Sequence, residues 1–261
     1  MSWLENVRYM TMTAGAACIS LALVGSVPSN ANAAKPTIAQ VTAKLDGLYR
    51  SKTTQAKVTM TVVTPDYKRT VSMSVISESS TNTLVRILSP LSQRGIGSLK
   101  RGNQMWSYLP KIRKTIRIPS SMMMGSWMGS DFTNDDILKM STWAKDYTTT
   151  WDDAAASPGT LCLRYTPKKG SAVTWQKVVI CVNAANLLPK KMTYYDEKGR
   201  KARIMTYTGV KKMGGRLIPT RLKLIPLNKK GHSTTIQYTS VNFDAALPSN
   251  AFSLMRLRQS F

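Results

Sequence analysis

Acid–base catalysis near neutral pH draws first on histidine. The chain holds one, His232, beside Lys229, Lys230 and Gly231 in what reads as a turn. The sequence carries no G-x-S-x-G elbow, no phosphate-binding glycine loop and no Cys/His cluster with zinc-ligand spacing. Asp131, Asp135 and Asp136 cluster, but turn formation and helix capping account for them. An enzyme would therefore need acid–base groups assembled from distant positions. The residues point instead to a protein that binds, with no cofactor or metal.

Two cysteines can do covalent chemistry of a structural kind. Cys162 and Cys181 lie in the runs Leu161–Tyr165 and Lys177–Val182, joined through Lys168, Lys169, Gly170 and Ser171. A hairpin centred near Ser171 and Ala172 sets Cys162 opposite Cys181 and Tyr165 opposite Val178. A disulfide is then geometrically possible, the other outcome being two buried thiols. An oxidising compartment favours the bond.

Methionine supplies the third kind of chemistry, because its unbranched, polarizable side chain repacks around apolar shapes. Met122, Met123, Met124 and Met128 share one short segment with Trp127, and Phe132 follows. Loops are ordinarily polar, so this one asks for a partner: it is a lid over a cavity, or a surface that dips into a membrane or docks a partner, and either way it moves. Met60, Val62, Met73 and Val75 suit either core or cavity lining. The basic stretch just before the loop, Lys111, Arg113, Lys114 and Arg117, suits an anionic head group or membrane surface.

These residues sit among elements that the hydrophobic period makes legible. Ile38, Val41, Leu45 and Leu48 recur at helical spacing over about Pro36–Tyr49. The period then becomes two, with Val58, Met60 and Val62 answered by Val71, Met73 and Val75 across a Pro65-Asp66 turn. Further strands are expected at Thr83–Leu88, Gly97–Arg101, Gln104–Leu109, Arg113–Ile118 and Tyr147–Trp151. The cysteine pair, Leu188–Tyr195, Ala202–Val210, Leu217–Pro226 and Thr234–Asp244 complete the series. Many short strands separated by turns imply an antiparallel meander closed into a barrel or a sandwich. Between them, Thr133 or Asn134 caps a short helix over Asp135–Met140, and a terminal turn after Pro248-Ser249-Asn250 carries Phe252 and Leu254.

Residues 1–33 read as a secretory leader, with Arg8, an apolar stretch from Met12 to Gly25 and the small pair Ala31 and Ala33 before the cut. The apolar stretch is shorter than the ~20 residues a spanning helix needs. One domain, 34–261, is expected in the periplasm. The formal net charge of +24 would ordinarily suggest nucleic acid. Export excludes that partner and favours anionic amphiphiles.

The run Gly102-Asn103-Gln104-Met105-Trp106-Ser107-Tyr108-Leu109-Pro110, continuing through Ile116–Met123 and Ser126–Asp136, resembles the outer-membrane lipoprotein-sorting protein family, a branch of the LolA-like periplasmic carriers. Tyr194–Gly199 and Gly214–Thr220 extend the resemblance over most of the expected domain. It implies a mainly β fold: an incomplete, strongly curved antiparallel half-barrel covered by a few short helices, with an apolar cavity for the acyl chains of a lipid or lipoprotein. Cavity and lid are then expected from Met60, Val62, Met73, Val75, Trp106, Met122, Met123, Met124, Trp127, Met128 and Phe132. The resemblance also implies a transporter of the resistance–nodulation–division type as a partner, which leaves open an accessory or sensing role beside the carrier role.

Overall fold

The computed structural model describes residues 35–139, 143–171 and 173–259. The expected leader and its cut site lie outside them, as do Met140 and the hairpin centre at Ala172. Residues Pro36–Phe261 form one compact unit.

Thirteen strands form a single antiparallel sheet: β1 (Thr53–Val63), β2 (Lys68–Glu78), β3 (Asn82–Ser89), β4 (Gly97–Arg101), β5 (Gln104–Leu109), β6 (Lys114–Arg117), β7 (Tyr147–Trp151), β8 (Thr160–Pro167), β9 (Lys177–Asn183), β10 (Pro189–Tyr195), β11 (Lys201–Met213), β12 (Arg216–Pro226) and β13 (Ser233–Phe243). Four short helices accompany them among the described residues: α1 (Ile38–Asp46), α2 (Asn134–Lys139), α3 (Trp143–Asp146) and α4 (Leu254–Arg258). The strand order is β6-β5-β4-β3-β2-β1-β13-β12-β11-β10-β9-β8-β7. Every neighbour pair is a sequential hairpin except β1 with β13. The half-barrel expectation holds, because β6 and β7 are the two edges and do not pair. These edges are consecutive in sequence, so the chain between them, with the apolar loop, α2 and α3, connects one rim of the opening to the other.

Alternation decides which face curves inward. Along β1 every second residue, from Thr54 through Ala56, Val58, Met60 and Val62, is buried while the residues between are more exposed. Register shifts interrupt the ladders at Lys57/Val58, Ser72/Met73, Pro189/Lys191 and Tyr194/Tyr195. Each is a place where an extra residue bends its strand and increases the twist.

A smaller apolar cluster covers the outer face of β3 and β4. Leu84, Leu99 and Leu257 are buried there against Trp106, Tyr108, Phe252 and Leu254. The helix that brings Leu257 is capped by Ser253, whose side chain accepts from the Arg256 amide. Arg86 passes beneath it and donates to the carbonyls of Arg256 and Leu257 at the helix end. Gly97 makes the contact possible, since a Cβ there would stand 2.7 Å from Leu257 Cδ1.

The β8–β9 register pairs Cys162 with Cys181 and Tyr165 with Val178, and the two sulfurs are bonded. This bond lies on the outer face with Val179, away from the main core.

Candidate functional site: the covered cavity

A cavity of about 310 Å³ lies against the inner face of the sheet. Its wall is assembled from alternate residues of strands far apart in sequence: Val58, Met73, Val75 and Val85 on one side, Leu222, Ile236 and Tyr238 across the β1–β13 junction, and Met192, Met205 and Tyr207 beyond them. Helix α1 contributes Leu45, and Leu48 and Tyr49 follow it. Its first turn is fixed by a capping box, Thr37 and Gln40 each bonding the other's backbone amide.

Six of the ten tyrosines line this space: Tyr49, Tyr147, Tyr165, Tyr194, Tyr207 and Tyr238. Tyr49 and Tyr238 stack with centroids 4.9 Å apart, and Tyr49 donates to the Pro219 carbonyl at 2.7 Å. Tyr147 donates to the Trp175 carbonyl at 3.0 Å. Burial raises all six hydroxyls, Tyr147 and Tyr238 to about 12, so these tyrosines stay neutral across physiological pH. Such side chains offer apolar rings to a chain-like ligand and a hydroxyl that bonds locally.

The cover is built from the Met-rich segment and α2, and polar contacts fasten it. Trp127 is buried, and its indole donates to Ser98 Oγ at 3.2 Å. The Trp127 amide donates to the Phe132 carbonyl at 2.7 Å, closing a tight loop in which Met128 and Gly129 both take positive φ. Arg69 reaches over from β2 to donate to the Met128 carbonyl at 2.5 Å. Asn134 Nδ2 holds the Met122 carbonyl, and Thr234 of β13 bonds both the Asp131 amide and its carboxylate. Thr133 and Asp136 form a second capping box at the start of α2.

Helix α2 is tied down through its acids. Asp136 makes a two-pronged ion pair with Arg203 of β11, both side chains more than nine-tenths buried. The guanidinium lies against the rings of Trp175 and Tyr194, 4.2 Å from each centroid. Burial by itself lowers the Arg203 pKa, but the hydrogen bonds and charge of Asp136 outweigh it and hold it above its ordinary value. Asp135 accepts from Thr174 Oγ1 at 2.9 Å. The acids read from sequence as caps are thus also the attachment of the cover.

Of the residues expected at the cavity, Met73, Val75, Trp127 and Phe132 line it. Met60 and Val62 share the inner face of β1 but are sealed into the core where the cover descends onto β13, Val62 standing opposite Thr234. Trp106 is a correction: Met105 takes the inward position on β5, so Trp106 turns outward to the cluster under α4. Met123 and Met128 pack half-buried on the core. Met122 and Met124, 53% and 55% exposed, face outward rather than into the cavity. Ile112 (57%) and Ile116 are exposed apolar residues too. Lys111, Arg113, Lys114 and Arg117 are exposed on or beside the edge strand β6 in the same stretch of chain. Cavity residues not expected from sequence include the tyrosines, Trp175, Arg50, Lys100 and Arg203. Arg203, Met205 and Tyr207 alternate on β11, and that period-two placement is the signal that marks them.

A family model described as "-like: Uncharacterized protein" matches residues 79–259. No curated protein matches the chain by sequence. Among solved structures, a DUF1329 family protein from Desulfovibrio piger is 23% identical with a TM-score of 0.73, covering 84% of this chain and 96% of its own. A LolA superfamily protein from Nitrosomonas europaea is 24% identical with a TM-score of 0.69, covering 85% and 99%. An outer membrane lipoprotein-sorting protein domain from Vibrio parahaemolyticus is 19% identical with a TM-score of 0.70, covering 84% and 97%. The resemblance read from the sequence is therefore matched in the fold. Among the described residues, no helix is long and apolar enough to cross a membrane.

Proposed function

Since the chain belongs to the family matched over residues 79–259 and has the LolA-like fold of outer-membrane lipoprotein-sorting proteins, we propose that it is a periplasmic carrier. It takes the acyl chain of a lipid or lipoprotein into its cavity and shuttles it toward the outer membrane. The observation that carries this reading is the cavity itself, apolar and aromatic, held between an unclosed sheet and a fastened cover.

The energetics suit reversible carriage. Each buried methylene contributes about 0.8 kcal/mol, so a sixteen-carbon chain gains on the order of 10 kcal/mol before the cost of ordering it. No catalytic step is required, and loading follows from transfer out of water. The exposure of Ile112, Ile116, Met122 and Met124, in the same stretch of chain as the exposed Lys111, Arg113, Lys114 and Arg117, supports transient contact with an anionic membrane during exchange.

Lipid extraction and mass spectrometry of protein purified from the periplasm test the reading. A co-purified acyl lipid that is lost when Leu222→Trp fills the cavity is the expected result. Absence of any acyl ligand, together with tight binding to a resistance–nodulation–division transporter, would replace the carrier by an accessory module.

A further inference from the structure

Acids are nearly absent from the sheet. The thirteen strands hold one, Glu78, the last residue of β2, while the other acids among the described residues lie on helices, in turns or in the cover. Basic residues are not kept out in this way, and alternation sorts them by face. Lys100 and Arg203 line the cavity. Lys57 falls between the buried Ala56 and Val58 of β1, Lys191 beside the buried Met192 of β10, and Arg221 and Lys223 on either side of the buried Leu222 of β12. These four therefore stand on the outer, convex face. Lys57, Lys191 and Arg221 are exposed there and Lys223 is half-buried.

Their strands belong to one contiguous panel, β1-β13-β12-β11-β10, and the register sets them in rows. Lys191, Thr206, Lys223, Thr235 and Thr61 stand abreast across it. One step along, Thr208, Arg221, Gln237 and Thr59 form a parallel row, and Lys57 follows on β1. Strand geometry puts Arg221 and Lys223 about 7 Å apart, Lys191 and Lys223 about 10 Å, and Arg221 and Lys57 about 12 Å. Charges are screened over about 8 Å at physiological ionic strength, so the four act together on a ligand that spans them. None of them has an ion-pair partner among the described residues, and the hydroxyls of Thr59, Thr206, Thr208 and Thr235 bond no other group there.

A membrane would ask this face for apolar side chains that dip, and a protein partner for an apolar or aromatic centre. Large hydrophobic side chains are exposed on these strands only at Val210 and Leu217, toward the far end of the β11–β12 hairpin. Cations interleaved with unbonded hydroxyls suit a hydrated partner instead. We propose that the convex face binds an anionic glycan, a chain of sugars bearing carboxylates or phosphates. The four cations pair with its acidic groups, and the threonine hydroxyls bond sugar hydroxyls between them. The cavity lies on the opposite face of the same sheet, so a protein held on such a polymer keeps its cavity free.

Isothermal titration calorimetry of the purified protein with polygalacturonate, neutral dextran, poly-glutamate and phosphatidylglycerol vesicles tests the site. Polygalacturonate is expected to bind, more weakly as salt is raised, and dextran is not. Lys57→Gln/Lys191→Gln/Arg221→Gln/Lys223→Gln should weaken it about a hundredfold or more, at about fivefold per charge. The matched removal of four charges elsewhere, Lys111→Gln/Arg113→Gln/Lys114→Gln/Arg117→Gln, should cost less than about fivefold in all. Thr206→Val/Thr208→Val/Thr235→Val keeps the charge and the β-branched shape and should weaken binding about tenfold. Circular dichroism controls for folding in each variant. Equal losses from the two fourfold variants would mean that net charge alone attracts the polymer, and would overturn the site. Full binding by the threonine variant, or no binding of polygalacturonate by the parent, overturns the glycan. Poly-glutamate or vesicles held more tightly than polygalacturonate through the same four residues overturn it in favour of an acidic protein or a membrane. The carrier reading stands or falls separately, on the lipid extraction.

Discussion

Replacing Arg203 by Met should do far more damage than replacing both members of its ion pair. Arg203 and Asp136 are each more than nine-tenths buried, and the pair joins α2 to β11 beneath the cover. Removing the guanidinium alone leaves a carboxylate in a low-dielectric setting, a change that typically costs about 3–5 kcal/mol. For a domain of this size each kcal/mol lowers Tm by roughly 2–4 °C, so Arg203→Met should melt about 6–20 °C lower. Asp136→Leu should be comparably costly, since it strands the cation against Trp175 and Tyr194. The double variant Asp136→Leu/Arg203→Met exchanges the pair for apolar volume and should return to within about 2 kcal/mol of the parent. Urea unfolding of the four proteins gives the coupling energy, and acrylamide quenching of Trp175 reports whether the cover has lifted. A single Arg203→Met cost below about 1 kcal/mol, or a double variant as unstable as the sum of the singles, would refute the reasoning.

Cys162 and Cys181 are 19 residues apart, and closing a loop of that length in the unfolded chain is worth roughly 3 kcal/mol; Cys162→Ser/Cys181→Ser should lose about that much by urea unfolding under non-reducing conditions. Burial pushes the folded Lys100 ammonium down to about 8 from its ordinary 10.5, so the unfolded chain holds more protons between those values. Stability should therefore climb from pH 8 toward 10.5 relative to Lys100→Met, with burial first and the Arg50 charge second setting the size of the effect; a pH-independent difference between the two proteins would contradict it. Replacing Lys111, Arg113 and Lys114 together with Ser should weaken binding to anionic vesicles by about 1 kcal/mol per charge at low ionic strength, an effect that salt erases. Vesicle co-sedimentation that does not change would remove the membrane-contact role of β6.

The strands were legible because period two is local: Val58, Met60 and Val62, or Val71, Met73 and Val75, declare an inward face without reference to anything distant. The β8–β9 register followed from the turn position alone, which sets Cys162 against Cys181. The cavity was less legible because its wall depends on β1 meeting β13, a pairing with no local signal. Tyr49 and Tyr238 stack across 189 positions for that reason. The fasteners of the apolar loop have no local signal either: Arg69 is 59 residues from Met128, and Thr234 is 103 from Asp131. Trp106 was placed inward because an aromatic on a strand looks like core, and only the outer cluster under α4 explains its direction.

The unpaired edges β6 and β7 also bear on how such a protein diversifies. A closed barrel ties its strand number, stagger and diameter together, so gaining or losing a strand disturbs the whole ring. Here a strand can be added or shortened at either rim with every interior ladder left intact, and insertions between Arg117 and Tyr147 alter the cover without touching the sheet. Groove width and cover are thereby separable inheritable traits, and descendants can trade one cargo for another in small steps.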